Sequence, residues 1–172
     1  MDQQSEYLAA FDEYSDALFR HAFFRVRNKE IALDLTQDAF TKTWDYLVKG
    51  NQIDQFKPFL YRTLNNLIID EYRRKSTESL DEILGEDEVN EGVFEELRTE
   101  GREEVELALD AERFKETLQL LPDQYKEVVV MRYVDGLMPQ EIAEVTGETV
   151  NVISVRIHRG IAWLKKNLQD RL

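Results

Sequence analysis

The side chains best placed for chemistry in this sequence suit nucleic acid. Arg62, Asn66, Asp70 and Arg73 stand at i, i+4, i+8 and i+11, a spacing that lines one face of a helix. Amide and guanidinium groups in such a stripe, continued by Arg74 and Lys75, can hydrogen-bond exposed bases and hold phosphates. Phe56, Phe59, Tyr61 and Tyr72 lie nearby, and aromatics interleaved with basic residues suit single-stranded DNA, whose bases stack or flip out. A surface whose ions pair internally, with Asp70 bridging to Arg73 or Arg74, accounts for the same stripe equally well.

A second set lies near the C-terminus. Ala143, Gly147 and Ile153 follow the helix-turn-helix pattern: a small residue lets two helices cross closely, Gly permits the turn, and an apolar residue locks the second helix. Ile142, Val145 and Ile157 frame it as core positions. Thr149 can cap the helix that begins at Val150. That helix carries Arg156, Arg159, Lys165, Lys166 and Arg171 against one acid, Asp170. Ser154, Val155 and His158 fall on its exposed N-terminal half, the part that meets base edges in a major groove, and Arg156 and Arg159 can hold phosphates. A three-helix hairpin without a ligand is the plainer alternative.

A third stripe is acidic. Asp34, Asp38 and Asp45 share a narrow arc of one helix beside Gln37, which suits a basic partner surface or a merely solvated face. Enzymatic chemistry finds no purchase: no Ser/His/Asp set or paired carboxylates stand out, and there is no Gly-rich loop for a nucleotide. With no Cys and only two His among 172 residues, neither a disulfide framework nor a thiolate or histidine metal site is expected, and no cofactor.

These residues need helices to position them, and three prolines and seven glycines punctuate the chain accordingly. The spacing predicts helices over about 5–27, 29–49 and 58–75. Phe11, Tyr14 and Leu18, then Phe40, Trp44 and Leu47, then Leu60, Leu64, Leu67 and Ile68 face inward. Further helices are predicted over about 124–134 and 139–145 and from 150 onward. Gly160 stands alone inside a strong helical pattern. The net charge of −13 first argues against DNA, yet residues 76–112 hold 15 acids and 2 bases, and the rest of the chain sums to zero. The expected architecture is therefore all-α: two small helical domains, 1–75 and 113–172, joined by an acidic, partly disordered linker at 76–112. No signal peptide or membrane span is evident, so a cytoplasmic protein without membrane insertion is expected.

In order along the chain, Asp34-Leu35-Thr36-Gln37-Asp38-Ala39-Phe40 with Trp44, Phe59-Leu60-Tyr61-Arg62, Asn66-x-x-x-Asp70-x-x-Arg73-Arg74, Leu121-Pro122 and Glu141-Ile142-Ala143 resemble a bacterial RNA polymerase sigma factor of the extracytoplasmic-function type. The resemblance implies a dissociable polymerase subunit that is not itself an enzyme. Its region two would recognise and melt the −10 promoter element through Arg62, Asn66, Asp70, Arg73, Arg74, Phe56 and Tyr61. The loop from about Asn51 to Lys57 would help hold an extruded base. Its region four would read the −35 element through Thr149, Asn151, Ser154, Val155, Arg156, His158 and Arg159.

Asp34, Gln37, Asp38, Phe40 and Asp45 would dock on the clamp helices of the largest polymerase subunit, and region four on the flap of the second-largest. Implied partners are core polymerase, promoter DNA as duplex and non-template single strand, and an anti-sigma factor. The linker would thread the RNA exit path or fold back on the basic surfaces. The sequence departs from the family where a Thr-Val-basic-Ser run often enters the recognition helix; here stands Val152-Ile153-Ser154-Val155, so −35 readout is expected to be weaker or differently specific. The alternative is a sigma-like adaptor that sequesters an anti-sigma protein without binding promoters.

Overall fold

A computed structural model describes residues 2–78 and 116–169. Every regular element among them is helical: α1 (Gln3–Val26), α2 (Lys29–Val48), α3 (Phe56–Glu78), α4 (Asp123–Tyr133), α5 (Pro139–Thr146) and α6 (Val150–Gln169), with residues 116–120 helical as well. The chain forms two compact units, Met1–Asn90 and Glu91–Leu172. The linker from 79 onward, and Asp170 and Arg171, lie outside the described residues. The linker was expected from 76, but α3 runs on to Glu78.

In the first unit, Asp2 opens α1 by accepting a hydrogen bond from the Ser5 backbone N–H at 2.7 Å, which satisfies one of the orphan donors of the first turn. That bond holds the exposed Asp2 carboxyl below its usual value. Arg27 ends the helix in the left-handed region, φ 53°, and Asn28 at once caps α2, accepting from the Ile31 N–H at 3.1 Å. Two residues thus reverse the chain and set α1 against α2.

Leu18, Ala22 and Phe23 from α1, Ala32, Leu35, Ala39 and Phe40 from α2, and Leu60, Tyr61, Leu64 and Ile68 from α3 form the shared core. Each fully buried Leu among them is worth about 1.5–3 kcal/mol. His21 is also fully buried, edge-on to the Tyr61 ring at 5.1 Å. Five residues expected to face inward sit further out. Phe11 is 45% exposed, although its ring meets Phe40 at 4.8 Å, and Tyr14, Trp44, Leu47 and Leu67 are only half-buried.

The loop between α2 and α3 is tied down at two points. The Ile53 backbone N–H donates to Gln3 Oε1 at 3.0 Å, and Asn51 Nδ2 donates to the Tyr46 carbonyl at 3.0 Å. Ile53 is buried, whereas Gln52, Asp54 and Gln55 are exposed.

The second unit is built on α4, whose four consecutive residues Val128–Met131 are all buried. It packs on α6 where Gly160 removes the obstacle of a side chain. A Cβ at Gly160 would lie 2.6 Å from Val129 Cγ2, so the helices meet there because the residue is Gly. Pro139 starts α5 in a preorganised helical φ, and Glu141 accepts from the Met138 N–H at 2.7 Å. Gly147, at φ 76°, ends α5 and donates to the Ala143 carbonyl, as a left-handed C-terminal residue does. Thr149 Oγ1 then accepts from the Val152 N–H at 3.3 Å, starting α6. Ile142, Val145, Ile153 and Ile157 are buried between the two helices, completing the helix-turn-helix.

Candidate nucleic-acid interface

On α3, Arg62, Asn66, Asp70 and Arg73 are all exposed and fall within one side of the helix, because multiples of 100° per residue bring them back to nearly the same direction. Asp70 and Arg73 approach only to 4.0 Å, with side chains 70% and 78% exposed, so water screens the contact. Arg74 is engaged differently. Its guanidinium donates to both oxygens of Glu71, at 2.7 Å and 3.2 Å, and this holds the Glu71 carboxyl below its ordinary value. Asp70 does not bridge to Arg74; Glu71 does.

Tyr61 leaves the candidate set. It is 1% exposed, its ring fixed against His21 inside the unit, and it presents no surface on which a base could stack. Phe56 is half-buried on the first turn of α3, and Phe59 is half-buried with its ring 5.0 Å from Tyr46. Tyr72 stays exposed while its hydroxyl donates to the Arg25 carbonyl. Ile69, not among the residues expected from the sequence, is 40% exposed and joins Arg62 and Arg73 on the same side of α3. The same helical period that located the stripe also locates it.

On α2, Asp34, Gln37, Asp38 and Asp45 are exposed. Phe40 is not: it is 4% exposed, lies on the opposite side of the helix and packs against Tyr7 and Phe11. Its side chain is therefore not available for docking, while the three aspartates stay exposed on one arc of α2, with Thr41 and Lys42 exposed between Asp38 and Asp45.

On α6, Asn151, Val155 and His158 point straight outward, with Ser154 and Arg159 to either side and Val152 at the margin; all six are exposed. Val152 was the member not singled out as a reader. Arg156 is partly occupied, since its Nη1 donates to Glu148 Oε1 at 3.0 Å. Ser154 and His158 border a shallow cleft of about 260 Å³, with Arg132, Tyr133 and Pro139 on its far wall. Beyond Gly160, Lys165 and Lys166 are exposed. Among the described residues no cluster of three or more His, Asp or Glu is placed to hold a metal ion, and no helix is long and apolar enough to cross a membrane.

A three-helix unit with a polar, cation-bearing helix face, together with a helix-turn-helix unit, defines a DNA-associated regulatory protein. The family model for sigma-70 region 2 matches residues 10–78, and that for sigma-70 region 4 matches residues 111–164. Relatives include RNA polymerase sigma factor SigZ of Bacillus subtilis, 30% identical over 162 residues covering 92% of this chain and 85% of that one. Another is ECF RNA polymerase sigma factor SigW of the same organism, 28% identical over 172 residues covering 97% and 91%.

Among solved structures, the fold is similar to sigma factor RpoE in complex with the anti-sigma factor NepR from Bartonella quintana. That similarity has a TM-score of 0.70 at 20% identity and covers 95% of this chain and 97% of that one. It is also similar to CnrH in complex with the cytosolic domain of CnrY, with a TM-score of 0.63 at 24% identity, covering 98% and 90%. The chain belongs to the sigma-70 family of RNA polymerase sigma factors, of the extracytoplasmic-function type. This family acts in promoter-specific transcription initiation.

Proposed function

We propose that this chain binds core RNA polymerase in the cytoplasm and directs it to promoters whose −10 element is captured by α3 and whose −35 element is read by α6. The observation that carries this reading is the exposed α3 stripe of Arg62, Asn66, Asp70 and Arg73, together with the outward face of Asn151, Val155 and His158 on the second helix of a helix-turn-helix. The acidic face of Asp34, Asp38 and Asp45 docks on the clamp helices of the largest polymerase subunit, and the second unit on the flap of the second-largest.

Melting is driven by binding. Unstacking costs a few kcal/mol per base and is offset as the α3 stripe, the loop from Asn51 to Gln55 and the first turn of α3, where the expected loop residues Phe56 and Lys57 stand, hold the non-template strand. Arg62 and Arg73 hold phosphates, Asn66 offers both a donor and an acceptor to a base edge, and Ile69 supplies an apolar contact between them. Arg74 reaches a phosphate only by leaving Glu71. No covalent step is assigned to the chain.

Run-off transcription with purified core polymerase on a library of genomic promoters tests the reading. A transcript that depends on this chain and falls at least tenfold with Asn66→Ala is expected; no chain-dependent transcript would overturn it. An anti-sigma protein is a further proposed partner, because RpoE and CnrH are each described in complex with another protein, NepR being an anti-sigma factor. The adaptor reading draws on the Val-rich entry to α6. It predicts tight binding of such a partner with no promoter-dependent transcript in the partner's absence.

A further inference from the structure

We infer that α6 reads an A·T-containing step by pairing an amide with an apolar contact, Asn151 on adenine and Val155 on the C5-methyl of thymine. The inference rests on the proposed −35 role of α6 and names what that helix recognises. Val155 is 46% exposed at the centre of the outward face, between Asn151 one turn before it and His158 one turn after it. A valine so exposed on a helix whose neighbouring outward residues are polar has no core to join.

The major groove offers such a side chain one apolar partner, the thymine methyl, while Asn pairs bidentately with adenine N6 and N7. Four residues of helix rise about 6 Å, close to two base-pair steps of about 3.4 Å each. Asn151 and Val155 therefore reach neighbouring or next-neighbouring pairs. Arg159, Lys165 and Lys166 flank the same face and supply the phosphate contacts that orient it. Val152, 38% exposed at the margin, lies beside Arg159 and extends the apolar edge. This cationic surround selects duplex DNA over an apolar protein as the occupant.

The test uses holoenzyme assembled from core polymerase and the full chain. Duplexes are first enriched from a randomised pool, and each thymine of the enriched site is then replaced singly by deoxyuridine, which lacks only the methyl group. One or two positions in the upstream element are expected to lose about fourfold in affinity, the worth of one buried methyl. Val155→Ala should abolish that penalty, and Val155→Thr, which keeps a methyl, should retain it. Asn151→Ala should relax selection at an adenine one or two pairs away. Specific duplex binding with no deoxyuridine penalty, or a penalty that survives in Val155→Ala, overturns the inference while leaving the −35 role standing. Failure to enrich any upstream element overturns the −35 role itself.

Discussion

Glu148 and Arg156 are joined across the helix-turn-helix turn, Arg156 Nη1 donating to Glu148 Oε1 at 3.0 Å with both side chains more than a third exposed. Such a pair contributes little to folding, about 0–1 kcal/mol, but its carboxylate carries the same sign of charge as a DNA phosphate and competes with it for Arg156. Glu148→Gln is therefore expected to raise holoenzyme affinity for upstream duplex two- to fivefold at low salt. It should also steepen the dependence of log affinity on log salt by up to about one phosphate's worth. Anisotropy titrations over a salt series check this; lower affinity would mean that Glu148 orients Arg156 for its phosphate instead of withholding it.

Gly160 offers a test of the second unit's packing. Gly to Ala inside a helix gains about 1 kcal/mol from propensity, so an exposed site would be stabilised. Here the new Cβ meets Val129 Cγ2 at 2.6 Å and Tyr125 Cβ at 3.2 Å. Val129 is buried and its β-branched side chain is stiff. Overpacking of this kind costs about 1–3 kcal/mol, so Gly160→Ala should be net destabilising by up to about 2 kcal/mol, and Gly160→Val by more. Trp163 reports this transition once Trp44 is replaced by Phe, and denaturant melts of that background give the sign directly.

The helices and their order were legible because Gly50, Pro122, Gly136, Pro139 and Gly147 stand at or near helix ends and apolar residues recur at 3.6-residue spacing between them, although the α1–α2 junction at Arg27 and Asn28 has neither Gly nor Pro. Faces were legible where one period decides them: Asp34, Asp38 and Asp45 return to one arc. Phe40 falls opposite on the same count, yet the resemblance grouped it with the aspartates. Tyr61 was misplaced for another reason. Its neighbours in sequence are basic and aromatic, while the residue that encloses it, His21, lies forty positions earlier, beyond any local pattern. The Glu148–Arg156 pair spans eight residues and a helix start, where i, i+4 counting does not reach. The partner of Arg74 was a choice between adjacent acids, and side-chain geometry selected Glu71 at i−3 over Asp70 at i−4.

The Glu71–Arg74 contact has a pH signature. The Arg74 guanidinium holds the Glu71 carboxyl below its ordinary value of 4.5. A depressed folded value means that the stabilisation is fully present above the ordinary one and is lost as pH falls through the depressed one. The melting-temperature difference between wild type and Glu71→Gln should thus stay constant around neutral pH and shrink below about pH 4.5. At neutral pH the same substitution removes a carboxylate that competes with DNA phosphate beside Arg74 and should increase holoenzyme affinity for single-stranded non-template DNA at low salt, with the gain fading as salt rises. A melting difference that grows on acidification would contradict the assignment.

The acidic face of α2 and the buried Phe40 behind it make opposite predictions from one helix. Asp34, Asp38 and Asp45 are exposed, and surface substitutions away from special features usually change stability within about 0.5 kcal/mol. Changing all three to Asn should therefore leave the melting temperature of the first unit nearly unaltered while weakening core-polymerase binding about tenfold or more, with a flatter salt dependence because fewer charges cross the interface. Phe40→Ala removes a side chain that contacts Tyr7 and Phe11 and should cost about 3–5 kcal/mol of stability. Core binding by this variant would then recover on cooling as the fraction folded recovers. Unchanged core affinity in the triple Asn variant would reduce the acidic stripe to a solvated surface. A stable Phe40→Ala variant that nonetheless fails to bind core would restore the ring to the interface.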